Sequence, residues 1–113
     1  MDFEFIRGDT FSFKFKLVDS ADNILKLTGE DEIYFTVKNN YNQTNIVLQK
    51  RYSNGDIVNK GDYYFITLGH EDTAELKYGS YVYDIELVSG ELVKTLILGN
   101  IELTDEVTFK ANE

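Results

Sequence analysis

The chain has 113 residues, of which 20 are acidic and 11 basic, and its formal net charge is −9. This length suits one domain, residues 1–113, with one hydrophobic core. Because the chain has no cysteine and one histidine, disulfides, thiolate catalysis, cysteine-based zinc sites and multi-histidine metal sites are excluded.

Alternation of apolar and polar residues predicts β-strands along most of the chain. It is strictest at 11–17, 33–38 and 81–87, where every second side chain is large and apolar. One apolar and one polar face are typical of antiparallel sheets. Further strands are predicted at Phe3–Ile6, 24–27, 46–52, Tyr63–Leu68, 92–98, 101–103 and 107–109.

Turn signals separate these strands. Glycines at positions 61, 69, 79, 90 and 99 recur every 8 to 11 residues, a spacing typical of sandwiches and barrels. Ser89-Gly90 predicts a two-residue hairpin turn. One helical crossover is predicted at 70–77, because acids open this segment and Lys77 lies near its end. Gly79 follows where a C-terminal cap is expected.

These elements predict an all-β fold, an antiparallel immunoglobulin-like sandwich of about seven to nine strands. A small closed barrel is the alternative. In immunoglobulin-like sandwiches, a tyrosine that opens the strand after a crossover bonds back to the crossover backbone. We assign this corner to Tyr81, together with Gly79 and Asp72. Tyr83 then occupies the core position that holds cysteine in antibody domains.

Several motifs, in this order, resemble a known family. They are Arg7-Gly8-Asp9-Thr10-Phe11, Phe35-Thr36-Val37-Lys38, the stretch from Asp72-Thr73-Ala74 through Tyr81 and Tyr83-Asp84-Ile85, and then Thr95-Leu96 and Val107-Thr108. In these motifs the chain is similar to the immunoglobulin-like N-terminal module of siphophage baseplate upper proteins and to related small tail or virion proteins of Gram-positive phages and prophages.

The resemblance implies a non-enzymatic structural or interaction module of a phage particle or prophage cassette. It implies other phage structural proteins, or further copies of the chain, as partners. We expect no catalytic residue, cofactor or metal site. The N-terminus lacks the cationic and apolar segments of a secretory signal, and no apolar run approaches a membrane span. The expected location is therefore the bacterial cytoplasm, with the virion as a further one.

Two other functions are compatible with the sequence. Residues 63–113 carry a net charge of −7, against −2 for residues 1–62. This charge disfavours nucleic-acid binding and motivates a small acidic inhibitor of a basic host protein. The third function is a carbohydrate-binding module that uses exposed tyrosines. Tyr41 and Tyr52 are the main contact candidates; Tyr34, Tyr63 and Tyr78 are further candidates for the surface.

Four motifs have a simpler structural explanation. Arg7-Gly8-Asp9 spells an integrin-binding tripeptide, but its position between apolar strands predicts a turn. Asp19, Asp22 and Asn23 lack the spacing of a calcium loop and also predict a turn. His70-Glu71-Asp72 matches a helix start better than an acid–base set. Glu30-Asp31-Glu32 is expected to be a solvated loop before a strand.

Overall fold

A computed structural model describes residues 3–6, 10–19, 21–25, 27, 30–42 and 45–104. The predicted turn at Arg7-Gly8-Asp9 and the predicted strand at 107–109 lie outside these residues. The described elements, in chain order, are β1 (Phe3–Ile6), β2 (Phe11–Phe15), β3 (Asp31–Lys38), β4 (Leu48–Arg51), β5 (Ile57–Lys60), β6 (Tyr63–Leu68), α1 (His70–Thr73), β7 (Gly79–Ser89) and β8 (Leu92–Thr104).

The described strands form two sheets. The large sheet has the strand order β1-β8-β7-β3-β4, and the small sheet has the order β2-β6-β5. The prediction of a mostly β, sandwich-like molecule with one small helix is therefore confirmed. Because the described strands divide between two sheets, they do not form the closed barrel of the alternative prediction.

One strand pair corrects the prediction of an antiparallel architecture. β1 pairs with β8 in parallel, so that Phe3 lies beside Ile101 and Ile6 beside Thr104. The other strand pairs are antiparallel. A parallel pair needs a long connection between its strands, and β1 and β8 satisfy this condition because they lie far apart in the sequence. Local alternation cannot reveal the direction of such a neighbour.

The last described strand is longer than predicted. β8 runs without interruption from Leu92 to Thr104, so the prediction of two strands separated by a turn at Gly99 is wrong. Gly99 is buried and lies opposite Tyr83 of β7. A glycine inside a strand and a glycine in a turn give the same local signal. The β7–β8 hairpin is confirmed, but the predicted turn at Ser89-Gly90 is shifted by one residue: Ser89 pairs with Leu92 as the last residue of β7, so the two-residue loop is Gly90-Glu91.

Two shorter predictions also need correction. No strand forms at the described residues of 24–27, where Val18 and Ile24 form an isolated bridge. A four-residue strand, Ile57–Lys60, was not predicted because it is short and has two apolar residues. It forms a hairpin with β6 in which Lys60 lies opposite Tyr63.

The predicted helix at 70–77 is shorter in the structure, where it covers His70–Thr73. After it, the amide of Leu76 donates to the carbonyl of Thr73 at 3.0 Å, which forms a turn. The side chain of Leu76 packs against the core. Gly79 is therefore not the cap of this helix, because it lies beyond that turn as the first residue of β7.

The core lies between the two sheets. The small sheet contributes Phe15, Tyr64 and Ile66, and the large sheet contributes Phe35 and Tyr83, all of them buried. Ring contacts join the sheets, with centroids 5.5 Å apart for Phe13 and Phe35. The alternating residues of the strictest predicted strands thus form the face that both sheets share.

Candidate functional site

Tyr81 ties the start of β7 to the crossover before it. Its hydroxyl donates a 2.7 Å hydrogen bond to the backbone carbonyl of Lys77. The residue is 7% exposed, and burial raises the pKa of its hydroxyl. Its ring shares a small apolar cavity of about 10 Å³ with Leu76 of the crossover and Ile101 of β8. The bond satisfies a polar group that would be costly to bury alone.

Asp72 connects the same crossover to two strands. Its Oδ2 accepts a 2.6 Å hydrogen bond from the amide of Gly69, just after β6. The same carboxylate pairs with Lys50 of β4, whose Nζ lies 2.9 Å from Oδ2 and 3.1 Å from Oδ1. Both side chains are mostly buried. The crossover is therefore attached to the edge strand of the large sheet as well as to β6.

Gly79 opens β7 in a conformation that other residues rarely adopt. Its φ is +134°, and a Cβ atom at this position would meet no other atom within 4 Å. The requirement for glycine is therefore a requirement of the backbone, not of space. Gly79, Asp72 and Tyr81 thus lie along one short path from β6 to β7, which the structure fixes by backbone conformation, an ion pair and a buried hydroxyl.

The structure does not bring Tyr41 and Tyr52 together. Tyr41 follows the end of β3, is 54% exposed and donates a 3.1 Å hydrogen bond to the carbonyl of Gly99. Tyr52 lies near the start of β3, where its amide donates to Ile33. It is half-buried, and its ring packs against Tyr64 at 5.9 Å. Tyr41 thus presents a ring to solvent, whereas Tyr52 mainly supports the core.

The other candidate tyrosines are also dispersed. Tyr34 lies under the guanidinium of Arg51 at 5.4 Å, and Tyr63 lies under the ammonium group of Lys14 at 4.3 Å. These cations cover part of each ring. Tyr78 is exposed in the crossover. The five residues are spread over the outer faces of both sheets, the crossover and the ends of β3, so they do not form one aromatic platform.

The outer face of the large sheet carries acidic side chains in its middle. Asp84 and Glu86 of β7 lie opposite Thr36 and Tyr34 of β3, on the face turned away from the core. Asp84 lines a cavity of about 70 Å³ together with Tyr41 and Lys38. Burial raises the pKa of Asp84, and the Lys38 ammonium group opposes this shift.

Three acidic motifs of the sequence stabilise turns and strands. Asp19 Oδ1 accepts bonds from the amides of Asn23, at 3.0 Å, and Ala21, at 2.9 Å. These bonds lower the pKa of Asp19. Asp31 and Glu32 belong to β3, which corrects the expected solvated loop. Burial of Glu32 acts to raise its pKa, but hydrogen bonds, including one of 3.0 Å from the Ser53 amide, outweigh it and lower the pKa.

Sequence patterns missed one buried tyrosine and one feature of the surface. Tyr64 is almost fully buried, and its hydroxyl accepts a 3.3 Å bond from the amide of Leu27; burial raises its pKa. The apolar alternation of β6 could have identified it, since Tyr64, Ile66 and Leu68 share one face. The second feature is the hairpin end of β8, where Leu92 and Val93 are 57% and 59% exposed.

Within the described part of the chain, no group of three His, Asp or Glu side chains is arranged to hold a metal ion. The described part of the chain contains one helix, of four residues, and no helix there is long and apolar enough to cross a membrane. No protein-family model matches the sequence, and no curated protein matches it.

Proposed function

We propose that the chain is an immunoglobulin-like sandwich of the variable type. In such domains strands B, E and D belong to one sheet, and strands G, F, C and C′ belong to the other. The small sheet β2-β6-β5 corresponds to B-E-D, and the β8-β7-β3-β4 part of the large sheet corresponds to G-F-C-C′. The bond from Tyr81 to Lys77, at the crossover between E and F, supports the same assignment.

The proposed role is that of a non-enzymatic structural or interaction module of a phage particle or prophage cassette. One observation carries the interaction part: large apolar side chains are exposed on the hairpin end of the large sheet and on its outer face. Such surfaces mark protein contacts when they are contiguous. The exposed side chains include Tyr41, Leu92, Val93 and Leu98. Tyr41 and Leu98 lie close together, because Tyr41 bonds to Gly99.

The assignment to phage particles rests on the motifs that the chain shares with baseplate and tail proteins. It predicts that the protein accompanies particles. The test is sedimentation of lysates from a producing culture, with detection by an antibody against this chain. We expect the chain to sediment with particles and to remain there after a wash in about 0.5 M salt, which screens weak surface charges. Its recovery only in the soluble fraction would contradict this role.

A second candidate function is inhibition of a basic host protein. The net charge of −7 in residues 63–113 and the half-buried acids on the outer face of β7 favour it. This function predicts a stoichiometric host partner that is lost when salt is raised to about 0.5 M. Release from particles and capture of such a partner would favour the inhibitor over the structural module.

A further inference from the structure

The hairpin end of the large sheet leaves one edge of β8 open. β1 pairs with β8 only along Ile101–Thr104. Among the described residues, no strand pairs with the other side of residues 92–97, which we name the open edge. Four of its six residues are exposed, and it contains one charged residue, Lys94, and no proline. It therefore lacks most of the devices that protect strand edges from pairing.

The ladder with β7 fixes which backbone groups face outward. The loop Gly90-Glu91 is closed by Ser89 and Leu92, which correspond to positions i and i+3 of the turn and bond to each other. Along an antiparallel ladder, hydrogen-bonded residue pairs alternate with pairs that are not hydrogen-bonded to each other. The amides and carbonyls of Val93 and Thr95 therefore point away from β7, toward the open edge.

The side chains next to this edge favour a positively charged neighbour. Thr95 lies opposite Glu86, and Leu98 lies opposite Asp84, all on the outer face. No described side chain forms an ion pair or hydrogen bond with Glu86 or Asp84. Thr95 is small, so a lysine or arginine on a strand added beside β8 can reach across it to Glu86.

A second copy of the chain fits this edge less well. β7 pairs Glu86 with Thr95 and Ile85 with Ile97, so Leu96 has no partner on β7. Beyond Thr95, this register shift reverses which side chains of β8 point to the outer face. Two antiparallel copies then keep outward side chains beside outward side chains in two registers. In the first, Val93 lies opposite Val93 of the other copy, and the pairing is limited to 91–95. In the second, Lys94 lies opposite Lys94, which sets two ammonium groups opposite each other. Each copy also carries a net charge of −9.

We propose that the open edge of β8 binds an extended segment of a basic partner protein by strand addition. The segment alternates apolar residues with lysine or arginine. Its backbone pairs with Val93 and Thr95, a cation opposite Thr95 reaches Glu86, and its apolar side chains lie on the other face of the sheet beside Leu92. This inference rests on the proposed interaction role and gives it a surface and a partner chemistry.

The test is an NMR titration of the ¹⁵N-labelled full chain with a capped peptide that alternates valine and arginine. We expect saturable shifts of the amides at 92–98, with a Kd of about 0.1 mM, and weakening by several-fold when salt is raised from about 0.05 to 0.5 M. A peptide with glutamate in place of arginine is expected to bind about tenfold more weakly at low salt.

Two controls separate strand addition from charge attraction. A peptide N-methylated on the amides that face β8 keeps its charge and is expected to lose binding, because it cannot pair with the edge. Glu86→Gln is expected to weaken the arginine peptide about threefold, whereas Glu75→Gln, which removes an exposed charge near the crossover, leaves binding unchanged.

Equal binding of the glutamate and arginine peptides, shifts confined to another face, or dimerisation through β8 instead of peptide binding would overturn the inference. If the peptide fails while the chain sediments with particles, the proposed particle role stands and the strand-addition site falls. If the peptide binds while the chain stays soluble, the site stands and the particle role falls.

Discussion

The two ends of β7 differ in how they satisfy their polar groups. At the start, Tyr81 bonds to Lys77 in a buried environment, and the Asp72–Lys50 pair holds the crossover against β4. At the end, the hairpin places Leu92 and Val93 in solvent, and one side of residues 92–97 of β8 has no described neighbouring strand. The crossover end thus has its bonds within the domain, whereas the hairpin end has bonding groups available to another chain.

This difference separates stability from recognition within one strand. Buried bonds and packed rings at the crossover raise the cost of unfolding, because their loss would leave polar groups unsatisfied or a cavity behind. Exposed apolar side chains at the hairpin contribute little to the folded domain. Substitutions at the two ends should therefore have unequal effects on stability and unequal effects on binding.

The largest expected contrast comes from truncating one side chain at each end. Tyr81→Ala removes a packed ring and its bond, and we expect it to lower the free energy of unfolding by about 3–5 kcal/mol. Val93→Ala is expected to change it by less than about 0.5 kcal/mol, because that side chain is exposed. Urea denaturation measures both values. Equal losses would show that the hairpin end is packed as tightly as the crossover.

The next contrast concerns the glycines at the two ends of β7, where Gly79 is the first residue of the strand and Gly90 follows its last. Gly79 has a φ of +134° and Gly90 a φ of +62°, and both have open space at the Cβ position. We expect Gly79→Ala to cost about 2–3 kcal/mol and Gly90→Ala about 1 kcal/mol, since the left-handed helical region tolerates other residues better. Thermal melts of the two variants give the comparison. A larger loss at Gly90 would contradict the strained entry into β7.

Two hydroxyl deletions test the same difference on a smaller scale. Tyr81→Phe removes a bond that is buried, and we expect a loss of about 1–2 kcal/mol. Tyr41→Phe removes a bond of an exposed side chain to Gly99, and we expect a loss below about 0.5 kcal/mol. The measurement is the free energy of unfolding in urea. Unchanged stability of Tyr81→Phe would remove the support that this bond gives to the immunoglobulin-like corner.

The smallest expected effect depends on pH. Burial raises the pKa of Asp84, so the folded state disfavours its charged form. The carboxyl therefore lowers stability at neutral pH, and this penalty disappears as the pH falls below the ordinary value of about 3.9. Asp84→Asn should melt higher than the parent at pH 7 and equally at pH 3. A lower melting temperature at pH 7 would show that attraction to Lys38 outweighs burial.

The sequence predicts strands best where one face is buried throughout. The alternation at 33–38 and 81–87 identifies Phe35 and Tyr83 as core residues, and both are buried. It does not predict the parallel neighbour of β8, because pairing between distant segments leaves no local pattern. Gly99 was predicted to be a turn because a glycine buried within a strand resembles one in a loop.

The candidate surface was harder to predict than the core. Tyr41 and Tyr52 have similar surroundings in the sequence, yet one is exposed and the other packs on Tyr64, because their positions depend on the two ends of β3. The open edge depends on where β1 stops along β8 and on a register shift at Leu96. Both are properties of strand pairing, not of residue type.

Amide hydrogen exchange of the isolated chain tests the central difference most directly. Within β8, the amides of Leu92 and Lys94 bond to β7, whereas those of Val93 and Thr95 face the open edge. We predict slow exchange at the first two and fast exchange at the second two, together with slow exchange of the amides at Tyr81 and Tyr83. Slow exchange at Val93 and Thr95 in the monomer would show that the edge is already paired and would contradict the account.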